Sequence, residues 1–182
     1  RFEEAQRALE EGLRLGRPVL NGFPVVAHGV AKTRTLIESV GQPVMVRGYT
    51  MDTRVVAEIG FAAGATETIC APLGTFCQYS KTMPLETSIR LGQYVGRLVG
   101  YYEEHGAPLV LEVSGGLCTS PTPPSIMNAG RIIEALLAAE QGVKRILFLA
   151  GAAGNVVQEV ASSLSLLHLA SQYLSRFGYR DV

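Results

Sequence analysis

The sequence predicts an α/β protein built on a parallel sheet, and three observations carry that expectation. Short apolar, β-branched runs recur along the 182 residues. They lie roughly 25 to 40 residues apart with a helical pattern between each pair, the length a β-α-β unit needs. The runs are apolar nearly throughout rather than alternating, as strands covered on both faces are. Two parallel architectures satisfy this pattern, a closed barrel and a doubly wound open sheet. Neither a G-x-G-x-x-G turn nor a P-loop marks a nucleotide-binding open sheet, which tips the pattern slightly toward the barrel.

The elements follow in order. Arg1 to Gly16 places Phe2, Ala5, Ala8, Leu9, Leu13 and Leu15 mostly at helical spacing, and Gly16 ends the helix. Pro18-Val19-Leu20 and Pro24-Val25-Val26 form a short apolar segment, after which Thr33 to Val40 reads as a helix. Pro43 to Arg47 is a strand by length and branching. Asp52 opens an Ala/Val-rich helix to about Ala63, which Gly64 stops, and Thr66 to Ala71 is the next strand. Pro84-Leu85-Glu86 suits a first helical turn, and that helix runs to about Glu104. Pro108 to Val113 is a near-continuous apolar strand, and Pro124 leads a helix to Gln141-Gly142. Arg145 to Ala150 is a strand, and Gly154-Asn155 turns into a last helix ending near Phe177. Arg1 falls in mid-helix and Gly178 to Val182 reads as the approach to another strand, so a piece of a larger domain is expected.

Composition narrows the function. Sixteen basic residues balance sixteen acidic ones, which gives no electropositive stripe for a phosphate backbone and argues against nucleic-acid binding. The longest apolar stretches, such as Ile146 to Ala153, are too short to span a membrane. With no hydrophobic leader before the first helix, the expected compartment is the cytoplasm. Cys70, Cys77 and Cys118 are odd in number and form no C-x-x-C pair, which argues against a disulfide framework or a structural zinc site. His28, His105 and His168 show no metal-ligand spacing.

In parallel α/β proteins the chemistry gathers at the carboxyl ends of the strands. Arg47 ends an apolar strand there, and its guanidinium suits a carboxylate or phosphate; the plainer reading pairs it with Asp52. Glu112 lies one residue before the end of the most apolar strand, where a carboxylate needs a partner. It is either an acceptor or general base for a ligand, or a strand-end carboxylate paired with an arginine. The glycines of Leu149 to Asn155 could cradle a phosphate at a helix N-terminus or form only a tight turn. Tyr79-Ser80-Lys81 could supply a phenol beside an ammonium, or be an ordinary loop. The three cysteines all follow strands and could converge, but are more simply inert fillers.

Several strings carry a resemblance. Leu20-Asn21-Gly22-Phe23-Pro24-Val25-Val26-Ala27-His28-Gly29, Gln42-Pro43 through Val46-Arg47, Leu98 to Glu104 and Pro123 to Ile126 are among them. Glu134 to Lys144 and Tyr179 to Val182 extend them. Together they resemble the epsilon subunit of methylaspartate mutase, also called glutamate mutase component E. The resemblance implies a (β/α)₈ TIM-type barrel, of which this chain covers the central strands and helices as a single domain. It implies an adenosylcobalamin-dependent isomerase that interconverts glutamate and 3-methylaspartate by a radical route. A separate small cobalamin-binding subunit would be the partner, with the barrel subunit a homodimer. That partner's D-x-H-x-x-G motif is absent here. By the same resemblance Arg47 grips a substrate carboxylate, Tyr79 contacts substrate, Glu112 is the active-site glutamate, and Asn21 and Glu112 meet the adenosyl group.

The chain also departs from that family. Where the family has a glutamate and a glycine run, this chain reads Ile69-Cys70-Ala71-Pro72. Thr75 replaces a tyrosine, Gly48 replaces a histidine, and Val113 to Gly116 lacks an aromatic. An isoleucine in place of an ion-paired glutamate would withhold a charged hydrogen bond worth roughly 1.5 to 3 kcal/mol from a substrate ammonium. Three functions follow: a mutase acting on glutamate or a related acid, a barrel that has lost catalysis and serves as a binding or assembly partner, and an unrelated barrel lyase or aldolase using Arg47 and Glu112.

Overall fold

The computed structural model describes residues 2–17, 19, 22–48, 50–114, 122–151 and 154–182. In chain order the elements are α1 (Phe2–Leu15), α2 (Val25–Val40), β1 (Met45–Val46), α3 (Arg54–Ala62), β2 (Glu67–Ile69) and α4 (Pro72–Tyr79). They continue with α5 (Leu85–Glu104), β3 (Val110–Val113), α6 (Pro124–Glu140), β4 (Ile146–Phe148) and α7 (Val156–Arg176). The strands form one parallel sheet in the order β1-β2-β3-β4. A doubly wound sheet reverses its strand order at a switch point, and among the described strands no reversal occurs. The sheet is open, with β1 and β4 as its edges. The observed architecture is therefore a run of successive β-α units rather than a closed barrel.

Register assigns the two faces of the sheet. Val46, Thr68, Leu111 and Ile146 stand in one row across the four strands. Val46, Leu111 and Ile146 of that row belong to the main core, with Ala57, Phe61, Val95, Val99, Ala138 and Val143 from the helical side. This row thus faces the helices. Side chains alternate along a strand, so the next row, Ile69, Glu112 and Leu147, points to the other face. Arg47, one residue past Val46, falls on that same face. A smaller core of Ile132, Leu166 and Ala170, with Leu136 and Phe148, joins α6, α7 and β4. Buried Asn128 reinforces that joint, donating to Ser162 O at 3.0 Å and accepting from Arg131 Nη1 at 2.8 Å.

Two local expectations needed correction. Pro24-Val25-Val26 is not a separate apolar segment but the start of α2, which breaks at Gly29 (φ 68°, ψ −172°) and resumes. Thr33 steadies the break by donating its hydroxyl to Gly29 O at 2.7 Å. The stretch behind β2, read as loop, contains the helix α4, with Pro72 at its start. No helix of the described residues is long and apolar enough to cross a membrane.

The glycines of α5 let its neighbours approach. A Cβ on Gly100 would stand 2.4 Å from Gln141 O, and one on Gly92 2.9 Å from Pro72 Cγ. Alanine favours a helix over glycine by about 1 kcal/mol, yet at Gly100 the obstacle is backbone that cannot turn aside. Gly100→Ala is expected to lower stability by about 1 to 3 kcal/mol net, read as a fall in the urea midpoint at constant slope.

Candidate functional site

Arg47 and Glu112 come together. The β1 strand ends at Val46, so Arg47 leaves the sheet at its carboxyl edge and reaches across β2 to Glu112 on β3, where its Nη2 donates to Glu112 Oε1. The Glu112 side chain is 3% exposed and that of Arg47 28%. A carboxylate this far from water requires a cation and a hydrogen bond, and the in-register neighbours offer neither. Ile69 lies on one side and Leu147 on the other. The second oxygen of Glu112, Oε2, makes no hydrogen bond among the described residues. The pair is thus a charged bridge over an apolar floor, with an acceptor oxygen left over and an arginine side chain that keeps partial contact with solvent.

The plainer reading of Arg47 does not hold, because Asp52 is engaged elsewhere. It binds Arg54 through Oδ1–Nε (2.9 Å) and Oδ2–Nη2 (2.7 Å), and these bonds lower its carboxyl below the ordinary value. Arg54 also lies over the Tyr94 ring, 5.7 Å from its centre. Tyr79 occupies the last position of α4, is exposed, and shares no hydrogen bond with the pair. Asn21 lies outside the described residues, as do Cys118 and the two glycines after Ser114.

The turn before α7 is closed by the chain itself. Gly154 N–H is taken by Glu159 Oε1 at 2.7 Å, and Gln158 N–H by Asn155 Oδ1 at 3.1 Å. A carboxylate already seated at this helix start opposes a phosphate there, so the described part of the turn is an N-cap. Among the described residues no three His, Cys, Asp or Glu side chains converge as a metal site would require.

Composition and motif gave no notice of Glu134. It lies in mid-α6, 1% exposed, and accepts three bonds from backbone amides of the described residues. Oε1 takes Leu73 N at 2.9 Å and Gly74 N at 3.0 Å, and Oε2 takes Ser114 N at 3.1 Å. Leu73 and Gly74 are in the first turn of α4, whose amides have no intrahelical partner and whose N-cap, Ala71, offers no side chain. One carboxylate therefore ties the start of α4, behind β2, to the segment that follows β3. The signal available in sequence was a lone acid inside the apolar run Ile132 to Ala139, which has to be satisfied by something.

A small cleft of about 20 Å³ at the ends of β1 and β2 is lined by Gly48, Ile69, Cys70, Thr75 and others. Gly48, Ile69 and Thr75, the departures noted above, thus share one place. Cys70 is buried and donates to Gly92 O at 3.4 Å, and burial, with the Glu134 charge adding, pushes its thiol well up.

Fold and site together define a parallel α/β protein of successive β-α units, with an arginine–glutamate bridge at the carboxyl ends of its strands. The entire chain, residues 1–182, matches the family described as methylaspartate mutase E chain. It is 41% identical over 182 residues to a glutamate mutase epsilon subunit of Treponema denticola, covering all of this chain and 38% of that protein. It is 42% identical over 181 residues to those of Desulfitobacterium hafniense and Escherichia coli O157:H7, covering all of this chain and 37% and 38% of those proteins. The chain belongs to the methylaspartate mutase E chain family, and it spans less than two-fifths of the length of these curated relatives.

Two outcomes test this geometry. Arg47→Ala strands the Glu112 carboxylate and is expected to cost about 3 kcal/mol of stability, the low end for breaking a buried pair because Arg47 keeps some water. Peptide mapping after brief alkylation at neutral pH should find exposed Cys77 modified and Cys70 intact. The folded state holds the Cys70 proton where the unfolded chain releases it. Its contribution to stability is therefore full below about pH 8.5 and declines as pH rises further, a loss that Cys70→Ser should reduce.

Proposed function

We propose that this chain is part of the substrate-binding barrel subunit of an adenosylcobalamin-dependent carbon-skeleton mutase. Its substrates would be L-glutamate and 3-methylaspartate, or a related acid. The observation that carries the reading is the Arg47–Glu112 bridge on the open face of the sheet, at the strand ends where such folds do their chemistry. The family match and the name of the relatives, glutamate mutase epsilon subunit, support it. The unreversed strand order suits an arc of a (β/α)₈ barrel, whose other strands would enclose the face carrying the pair.

In this reading Arg47 holds a substrate carboxylate, for which a guanidinium is matched in charge and shape. Glu112 fixes the guanidinium's direction, and its Oε2 is suited to accept from a hydroxyl of the adenosyl group, with the half-exposed Leu147 beside it as apolar surface. Adenosylcobalamin would supply the radical chemistry when bound. The protein's part is to bind, orient and exclude water. Tyr79 and Asn21 are carried as further contacts to substrate and adenosyl group. A small cobalamin-binding subunit would stack on the barrel, the barrel subunit would pair with a second copy, and the complex would work in the cytoplasm.

A second reading, a barrel that binds without catalysis, is favoured by Ile69. It sits in register between the two charged groups and offers nothing to a substrate ammonium.

The test uses the full-length subunit, a cobalamin-binding small subunit and adenosylcobalamin, with glutamate, 3-methylaspartate and glutarate offered in turn. Appearance of the paramagnetic signal of a radical enzyme supports the mutase and shows which acid it takes. Silence from a complex shown to hold cobalamin supports the binding role. In an active enzyme Arg47→Lys is expected to raise KM about tenfold or more, because an ammonium cannot reproduce the two-pronged contact.

A further inference from the structure

We propose that Glu134 is a positioning residue for the Arg47–Glu112 site, acting through the backbone of the two segments that flank it, the start of α4 and the end of β3; the proposal rests on the carboxylate-binding reading of Arg47. Three observations carry it. Glu134 is fully enclosed on α6, on the helical side of the sheet. Its two oxygens divide their bonds between two segments, Oε1 to Leu73 and Gly74 in the first turn of α4 and Oε2 to Ser114 after β3. Those segments lie just beyond the strand ends that form the site. Ser114 is two residues beyond Glu112, and Leu73 is four beyond Ile69, over which the bridge passes.

The arrangement holds these strand ends where the sheet itself no longer does. β2 ends at Ile69 and β3 at Val113. The ladder's last bonds are Cys70 N to Glu112 O at 2.9 Å and Leu149 N to Val113 O at 3.0 Å. Beyond that point Ser114 N–H is held by Glu134. An ionised carboxylate has acceptors only, so it suits three converging N–H donors. The neighbouring contacts leave little slack, since Ser88 Oγ donates to Pro72 O at 2.8 Å and a Cβ on Gly92 would meet Pro72 at 2.9 Å. If the Oε2 bond is lost, the end of β3 is free to shift, and the direction in which Glu112 presents its carboxylate to Arg47 shifts with it.

Glu134→Gln tests this with little change of volume. The amide keeps one acceptor oxygen but turns an NH₂ toward a backbone N–H, so one loop is released. Binding of glutamate and glutarate to the full-length subunit is measured by calorimetry for the native protein, Glu134→Gln, Arg47→Ala and the double variant. The expected result is a loss of about tenfold in affinity from Glu134→Gln where Arg47 is present, and under twofold where it is absent, because the effect passes through Arg47. Equal losses in both backgrounds, or no loss in a folded protein, would overturn the proposal. If Arg47→Ala itself leaves binding unchanged, the carboxylate reading is what fails.

Should Glu134→Gln not fold, hydrogen exchange on the native subunit decides. Protection of the Leu73, Gly74 and Ser114 amides should rise together on ligand binding. Unchanged protection of these three amides counts against a positioning role, since a scaffold bond has no reason to respond to ligand.

Discussion

Parallel pairing in unbroken order is the constraint from which the other features follow. With strands about 4.8 Å apart, residues opposite one another in a parallel ladder share a face. One row, Val46-Thr68-Leu111-Ile146, is thereby committed to the helices, and the next, Ile69-Glu112-Leu147, to the opposite side. A slip of one residue in any strand would exchange these sets. It would put Glu112 against Val95 and Val99 and turn Leu111 away from the core. The burial of the core row is thus what aims the charged row, and a site residue here is placed by the apolar residues before and after it.

Three acidic residues show how environment divides one chemistry into different roles. Asp52 sits near the surface with Arg54, and such a pair contributes little to stability. Glu112 is buried, while the Arg47 side chain keeps partial access to water, so the cation can turn toward a ligand from that side. Glu134 is buried with backbone donors on three sides. Backbone amides do not titrate or swing away, so this carboxylate is fixed. A carboxylate that can meet ligand and one that positions the backbone are therefore told apart by the mobility of their partners, because both are almost equally hidden from solvent.

Much of the framework was legible because it rests on local patterns. The helices from Pro84 and Pro124 and the strand ending at Val113 announce themselves by start residues and by runs of apolar side chains. Thr33 to Val40 was legible as the second part of α2, but its start at Val25 and the short helix α4 were not, since Gly29 and Gly74 weaken the local preference and tertiary contacts restore it. At the site, Arg47 and Glu112 were each visible as a charge at a strand end. That each is the other's partner was not, because a parallel register lies between residues 65 positions apart. Glu134 was hidden for a related reason: its partners are backbone amides, which leave no mark in the order of side chains.

The open face gives the last step. Leu147, in register with Glu112, is 44% exposed, whereas Ile69 on the other side is 7% exposed. Exposure on this face thus rises from β3 to β4, one of the two edges to which no described strand is added. An apolar residue beside a buried charge pair matters electrostatically. While Leu147 faces water, the bridge is screened on that side, and each exclusion of water there strengthens both the pair and any third charge brought to it. Whatever covers Leu147, be it further strands in the longer relatives or a bound ligand, would raise the local strength of Arg47 without altering its position. The site's affinity for a carboxylate would then depend on closure of the β4 side as much as on the arginine itself, with Glu134 holding the β3 end still while that side is covered.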